Sequence, residues 1–261
     1  MASRSAAPAR AQSSRFRAWV RIAGLVLLFL ACILPHLAAK ALTLRSRWPR
    51  RFLGAAARIS GMRVAVEGAP IARHSLILAN HTSWLDILIL AGATGSRFVS
   101  KAEIERIQFV GWLSDQNRTL YIDRAERGDA HGQVRRIAEA LEDPQPLAIF
   151  PEGTTSDGRA LLAFRSTLLH AVAPPPPGAS VRPVAIDYHA VDDIAWFGGE
   201  SGTLNFLRVL GLRGTRHVTV RLLDSLPPSS DRKALARSAA AAVAAALSSV
   251  NSRDALQAPP T

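Results

Sequence analysis

The sequence predicts an α/β fold: a mixed, mostly parallel sheet flanked by helices, with an N-terminal helical membrane anchor ahead of it. Three observations predict it. From residue 61 onward, short runs rich in β-branched residues and leucine alternate with helix-patterned runs, the rhythm of strand–helix–strand units. One uncharged apolar stretch, residues 22–39, precedes them. Apolar residues make up 48% of the 261, which suits one sizeable domain with its own core.

Residues 1–17 are small, polar and arginine-bearing, and read as a disordered basic tail. Residues 22–39 hold Leu25, Leu27, Leu28, Phe29, Leu30, Ile33 and Leu34 and no charge. Their length is at the short end for a spanning helix. Pro35 and His36 interrupt the far end. Arg15, Arg17 and Arg21 precede the stretch, and Lys40, Arg45, Arg47, Arg50 and Arg51 follow it. The arginine bias that orients a spanning helix therefore cancels. Two readings of residues 18–60 as a membrane-anchoring segment stay open: a spanning helix, or a helical hairpin with residues 48–60 seated in one leaflet. The symmetric charge favours the hairpin. The basic stretch beyond the apolar run argues against a cleaved signal peptide.

Within the domain at 61–250, strands are expected at 63–67, 75–80, 97–100, 119–122, 147–150, 181–188 and 217–223. Helices are expected at 83–93, 129–141, 165–173 and 231–250, the third stopped by Pro174–Pro177. Residues 251–261 read as a second disordered tail. No internal repeat is present.

The formal net charge is +12, and lysine occurs only at Lys40, Lys101 and Lys233. Such a charge predicts an acidic partner, nucleic acid or an anionic membrane surface. The chain carries no RNA-binding signature, zinc-finger spacing or basic heptad helix, so nucleic acid is set aside. Cys32 is the one cysteine, so an intrachain disulfide or thiolate cluster is impossible.

Three segments carry chemistry. Asn80-His81-Thr82-Ser83-Trp84-Leu85-Asp86 follows a strand and opens a helix, the end of an open α/β sheet where ligands bind. In one continuous helix His81 and Asp86 would point about 140° apart. They meet only if His81 precedes the helix and Asp86 lies in its first turns. A histidine can take a proton from an alcohol, and a carboxylate on its other nitrogen fixes the tautomer and stabilises the imidazolium. The same residues also fit a capping box, Ser83-x-x-Asp86, with Asp86 serving only the helix N-terminus. Both readings are open here.

Phe150-Pro151-Glu152-Gly153-Thr154 follows a buried strand and offers N–H groups, hydroxyls and a carboxylate together. An ordinary Pro-Glu-Gly turn is the alternative. No Gly-Lys-Ser/Thr follows, and G-x-S-x-G is absent from the chain. Arg124, just past Thr119–Ile122, suits a phosphate or a local ion pair with Asp123 or Glu126.

Together these segments resemble the glycerophospholipid acyltransferase family, the 1-acylglycerol-3-phosphate acyltransferases. The H-x-x-x-x-D block is His81 to Asp86, the arginine block ends at Arg124, the F-P-E-G-T block is Phe150 to Thr154, and a proline block is Val181-Arg182-Pro183-Val184. The resemblance spans about residues 60–225. It implies that His81 is the general base on the acceptor hydroxyl and that Asp86 holds it. Arg124 and Lys101 would meet the acceptor phosphate, and Glu152, Gly153 and Thr154 would shape the acceptor site.

The implied reaction is transfer of a fatty acyl group to the free hydroxyl of 1-acylglycerol 3-phosphate, with lyso-ornithine lipid or another lysolipid as the alternative acceptor. The donor would be a thioester of acyl carrier protein or coenzyme A, with no metal or other cofactor. The implied location is a bacterial inner membrane, the catalytic domain on the cytoplasmic side. A non-catalytic membrane-binding protein of the same fold is the competing class. Gln108, Arg118 and Phe164-Arg165-Ser166-Thr167 depart from the family's pattern around the acceptor region, so the acceptor's identity stays open.

Overall fold

The computed structural model describes residues 11–44, 46–122 and 130–257. Two helices come first, α1 (Arg15–Ala41) and α2 (Trp48–Ile59). The strands are β1 (Met62–Gly68), β2 (Ser75–Ala79), β3 (Arg97–Lys101), β4 (Leu120–Ile122), β5 (Leu147–Ile149), β6 (Ser180–Tyr188) and β7 (Arg216–Leu222). Between and after them lie α3 (Leu85–Thr94), α4 (Ala102–Glu105), α5 (Gln108–Gln116), α6 (Ala130–Leu141), α7 (Val191–Ile194), α8 (Gly202–Leu210) and α9 (Arg232–Gln257).

One sheet runs in the order β1-β7-β6-β2-β5-β3-β4. Only β6 and β7 are antiparallel; the other neighbouring pairs are parallel. The sheet is therefore mixed and mostly parallel. Its central strand β2 is buried along its whole length, which explains its continuous apolar run. Side chains alternate across a strand. Ile77 and Ala79 join Leu85, Ile89, Phe98, Phe150, Ile186 and Tyr188 in the layer under α2 and α3. Leu76 and Leu78 face the opposite layer, with Ile149 of β5 and with Ile137, Leu169 and Val243 from α6, a 3-10 turn and α9.

α1 and α2 pack as a hairpin against this domain. α2 meets α3 at two glycines: a Cβ on Gly92 would lie 2.5 Å from Gly54 Cα. Gly24 of α1 rests on Ile59 of α2. Arg21 donates to the carbonyls of Leu210, at 3.1 Å, and Gly214, at 3.0 Å. Arg17 Nε donates to Gly211 at 3.0 Å. Along its other side α1 exposes Phe16, Trp19, Val20, Val26, Leu27, Leu30, Leu34 and Leu37, a helical face with an apolar surface turned outward.

Several expectations change. The disordered tail does not reach residue 17: Ala11 N donates to Asp193 at 2.8 Å, Ser14 N to Gly211 at 2.8 Å, and α1 starts at Arg15. Pro35 and His36 do not end α1, which continues to Ala41. His36 is instead satisfied sideways, Nδ1 by Ser46 Oγ at 2.8 Å and Nε2 by Gln116 Oε1 at 3.2 Å. At the other end α9 runs to Gln257, past the expected start of the second tail. The helix expected at 165–173 is only a 3-10 turn, Leu168–Val172. Arg165 N donates to Pro151 O at 2.9 Å, outside any helical ladder. α4, α5, α7 and α8 were not anticipated. Arg118 has φ +61 and pairs with Asp143 at 2.5 Å.

Candidate active site

The site forms where β2, β5 and β6 end side by side. Asn80 closes β2, and its amide extends the ladder to β6: Nδ2 donates to Ile186 O at 2.9 Å and Oδ1 accepts from Ile186 N at 2.7 Å. That fixes the exit direction of His81. The His81 backbone is then held from the loop after β5. Its N–H donates to Glu152 Oε1 at 2.6 Å, and its carbonyl accepts from Ser156 N at 3.0 Å and Ser156 Oγ at 3.3 Å.

His81 precedes α3 and Asp86 lies in its first turn, so the two meet: Nδ1 and Asp86 Oδ2 are 2.8 Å apart. The His81 ring also stacks on Phe150, centroids 4.1 Å apart and planes 12° off parallel, and Phe150 stacks in turn on Phe98. Asp86 is completely buried, whereas the His81 side chain is 18% exposed. A buried carboxylate is costly unless its oxygens are satisfied. Here Oδ2 also accepts from Thr82 N at 2.7 Å and Ser83 N at 2.9 Å, and Oδ1 accepts from Tyr188 Oη at 2.6 Å.

The capping reading thus holds in part. Asp86 reaches back to Ser83 N, but Asp86 N itself donates to the Ser83 carbonyl, at 3.1 Å. Capping and contact with His81 use the same carboxylate, so they are not alternatives.

Burial raises the Glu152 carboxyl above its usual value, against the lowering by the N–H groups of His81 and Leu162. Burial and then the Asp86 carboxylate push the Tyr188 phenol well above its usual value, which keeps it a neutral donor.

Glu152 is buried, with its second oxygen taken by Leu162 N at 3.0 Å. Its carboxylate holds backbone rather than facing outward. Gly153 takes φ +77 at the bend of the same loop, and Thr154 is exposed beyond it. Lys101 is exposed at the carboxyl end of β3. Arg124 falls outside the described residues. Sequence reasoning missed Tyr188 and the structural use of Asn80 and Ser156. The available signal for Tyr188 was a polar aromatic ending an apolar strand. Among the described residues, no group of three or more His, Cys, Asp or Glu is placed to hold a metal.

Beside the site, a groove of about 600 Å³ runs between α1, α2, α3 and α5. Trp84, Ile87, Leu88 and Phe98 line the part next to the His81 segment, and His36, Trp48 and Gln116 the part under the end of α1. From Ile22 to His36 its wall follows α1 for about 21 Å, at 1.5 Å per residue. Phe29 stands in it, edge-on to Phe52, Phe109 and Trp112.

The family described as Acyltransferase matches residues 63–187. A lyso-ornithine lipid O-acyltransferase of Pseudomonas aeruginosa is 38% identical over 209 residues, covering 78% of this chain and 80% of that protein. A 1-acyl-sn-glycerol-3-phosphate acyltransferase of Neisseria gonorrhoeae is 34% identical over 125 residues, covering 47% of this chain and 48% of that protein. The crystal structure of the 1-acyl-sn-glycerophosphate acyltransferase PlsC from Thermotoga maritima superposes with a TM-score of 0.60 at 19% identity, over 92% of this chain and 99% of that one. It shares the fold. The sequence matches define the class, the acyltransferases. The chain belongs to the acyltransferase family.

Proposed function

We propose that the chain transfers a fatty acyl group from a thioester donor to the hydroxyl of lyso-ornithine lipid, with His81 as general base. The observation that carries the chemistry is the His81–Asp86 contact of 2.8 Å beside a long apolar groove. With Nδ1 committed to Asp86, Nε2 is the nitrogen left to accept a proton. The acceptor hydroxyl gives its proton to Nε2 and its oxygen bonds to the thioester carbonyl carbon. As the tetrahedral intermediate collapses, the carbon–sulfur bond breaks and the thiolate takes the proton back from Nε2. Asp86 stabilises the imidazolium between these steps. No protein nucleophile is needed. The groove suits a long acyl chain, and the donor is an acyl carrier protein or coenzyme A thioester.

The acceptor is chosen on similarity: three relatives named for lyso-ornithine lipid align over 78%, 66% and 75% of the chain, whereas two named for 1-acylglycerol 3-phosphate align over 47%. The phospholipid precursor is the second reading, favoured by Lys101 at the mouth of β3. The outward apolar face of α1, with the opposite side tied along the domain, supports the hairpin lying in one leaflet rather than crossing.

A competition assay decides the acceptor: purified protein in vesicles, one thioester donor, and equal amounts of the two lysolipids. Ornithine lipid should dominate the product. Dominant phosphatidate would transfer the assignment to the second reading. His81→Ala should cut turnover by roughly 10²–10⁴-fold, the range for a general base, and leave vesicle binding intact. Unchanged turnover in that variant would remove His81 from the mechanism.

A further inference from the structure

Asp86 is held from two directions. Three of its contacts, His81 Nδ1, Thr82 N and Ser83 N, come from its own segment and all reach Oδ2. The contact on Oδ1 comes from Tyr188, 102 residues further along the chain, at 2.6 Å. Tyr188 is the last residue of β6, and Asn80 locks β6 to β2 two residues earlier, at Ile186. The phenol therefore arrives at the carboxylate on a rigid pair of strands. Its ring is packed in the same apolar layer as Leu85 and Ile89 of α3.

We propose that Tyr188 is a positioning residue for acyl transfer, fixing the Asp86 carboxylate in the orientation that presents Oδ2 to His81 and keeping the shared proton on the imidazole. The proposal rests on the reading of His81 as the base. Its chemistry is direct. A phenol O–H donated to Oδ1 withdraws charge from the carboxylate, so Asp86 competes less for the His81 proton. It also satisfies an oxygen that would otherwise be buried without that donor, a state that favours rotation or protonation of the carboxyl. The titratable groups facing this cluster among the described residues are His81, Asp86, Glu152 and Tyr188.

Two changes to the full-length protein test it in opposite directions. Tyr188→Phe keeps the ring and removes the donor. The chain has two tyrosines, Tyr121 and Tyr188, so in a Tyr121→Phe background global incorporation of 3-fluorotyrosine labels Tyr188 alone and makes it a stronger donor without reshaping the core. Turnover in vesicles is followed against pH, with Tyr121→Phe as the reference. In Tyr188→Phe, kcat should fall about tenfold, the loss of one hydrogen bond to a charged group, with KM for both substrates within about twofold. The acid limb of the kcat profile should move to higher pH, because a more charged Asp86 holds the imidazolium more firmly. In the fluorotyrosine protein the limb should move to lower pH.

A purely structural tyrosine predicts no opposed movement of the limb. If Tyr188→Phe folds and both proteins keep the reference profile while Asp86→Asn is inactive, the proposal fails and the base assignment stands. If Asp86→Asn and His81→Ala are also fully active, the base assignment itself has failed. Should Tyr188→Phe not fold, the fluorotyrosine profile decides alone, an unmoved limb overturning the proposal.

Discussion

The backbone N–H of His81 donates to the Glu152 carboxylate at 2.6 Å, so the segment after β2 is held by the loop after β5. Glu152→Gln keeps the size but turns an amide nitrogen toward one of two N–H donors, His81 or Leu162. We expect kcat to fall roughly tenfold with the fold retained, the cost of a lost charge-assisted contact, read by steady-state assay beside circular dichroism.

The same residue gives a pH dependence of stability. Burial raises the folded-state carboxyl above its unfolded value. The folded protein therefore binds the extra proton, and this contribution to stability is fully present below the unfolded value and lost as pH rises through the folded one. From about pH 4.3 upward, the ordinary glutamate value, wild type should lose stability relative to Glu152→Gln. Urea midpoints of the two proteins measured across that range check it. A difference that grows in the opposite sense would contradict the assignment.

Asp86→Asn keeps the outline of the side chain but turns an N–H₂ group either toward the Thr82 and Ser83 N–H donors or toward the Tyr188 hydroxyl. Turnover should drop by about 10²–10⁴, and stability by about 1–3 kcal/mol for the donors left unsatisfied. Single-turnover assays and denaturant titration separate the two effects.

Phe29 fills the apolar groove between Phe52, Phe109 and Trp112. Phe29→Ala should shift donor preference toward bulkier or longer acyl chains, by roughly tenfold in relative kcat/KM. A mixture of thioesters of graded length, with products resolved by mass spectrometry, measures it. An unchanged product distribution would mean that the acyl chain lies elsewhere.

Gly92 and Gly54 let α2 and α3 touch backbone to backbone. Gly92→Val must separate them, an overpacking cost of about 1–3 kcal/mol, and Tm should fall by about 3–10 °C. On the outer side of the hairpin, Leu27, Leu30 and Leu34 are 67%, 55% and 72% exposed. Replacing all three by serine should weaken vesicle binding by roughly 10²-fold or more in a flotation assay, with Tm nearly unchanged.

The strands were legible because each holds β-branched residues or leucine in a short run bounded by turn residues, and β2 in particular because a strand buried on both faces reads as an unbroken apolar run. α5 and α8 were not legible. Both are short, and their apolar residues, Phe109 and Trp112 against Phe29 of α1 and the exposed Leu204 among them, do not follow the core stripe that periodicity detects. The 3-10 turn at Leu168–Val172 was misread as part of a helix because local propensity cannot register the pull of Pro151 O on Arg165 N.

By itself, the sequence determined the α/β class, the N-terminal apolar segment, and the order and spacing of the His81–Asp86 and Phe150–Thr154 segments. These are local properties, set by side-chain period, turn residues and motif composition. Only the tertiary structure decided that Glu152 turns inward to His81, that α1 lies along the domain with its apolar face outward, and that Tyr188 closes on Asp86. The physical reason is that these contacts join residues 71 to 194 positions apart. They exist only once the crossovers have brought the ends of β2, β5 and β6 together, and no local pattern encodes which strand ends become neighbours.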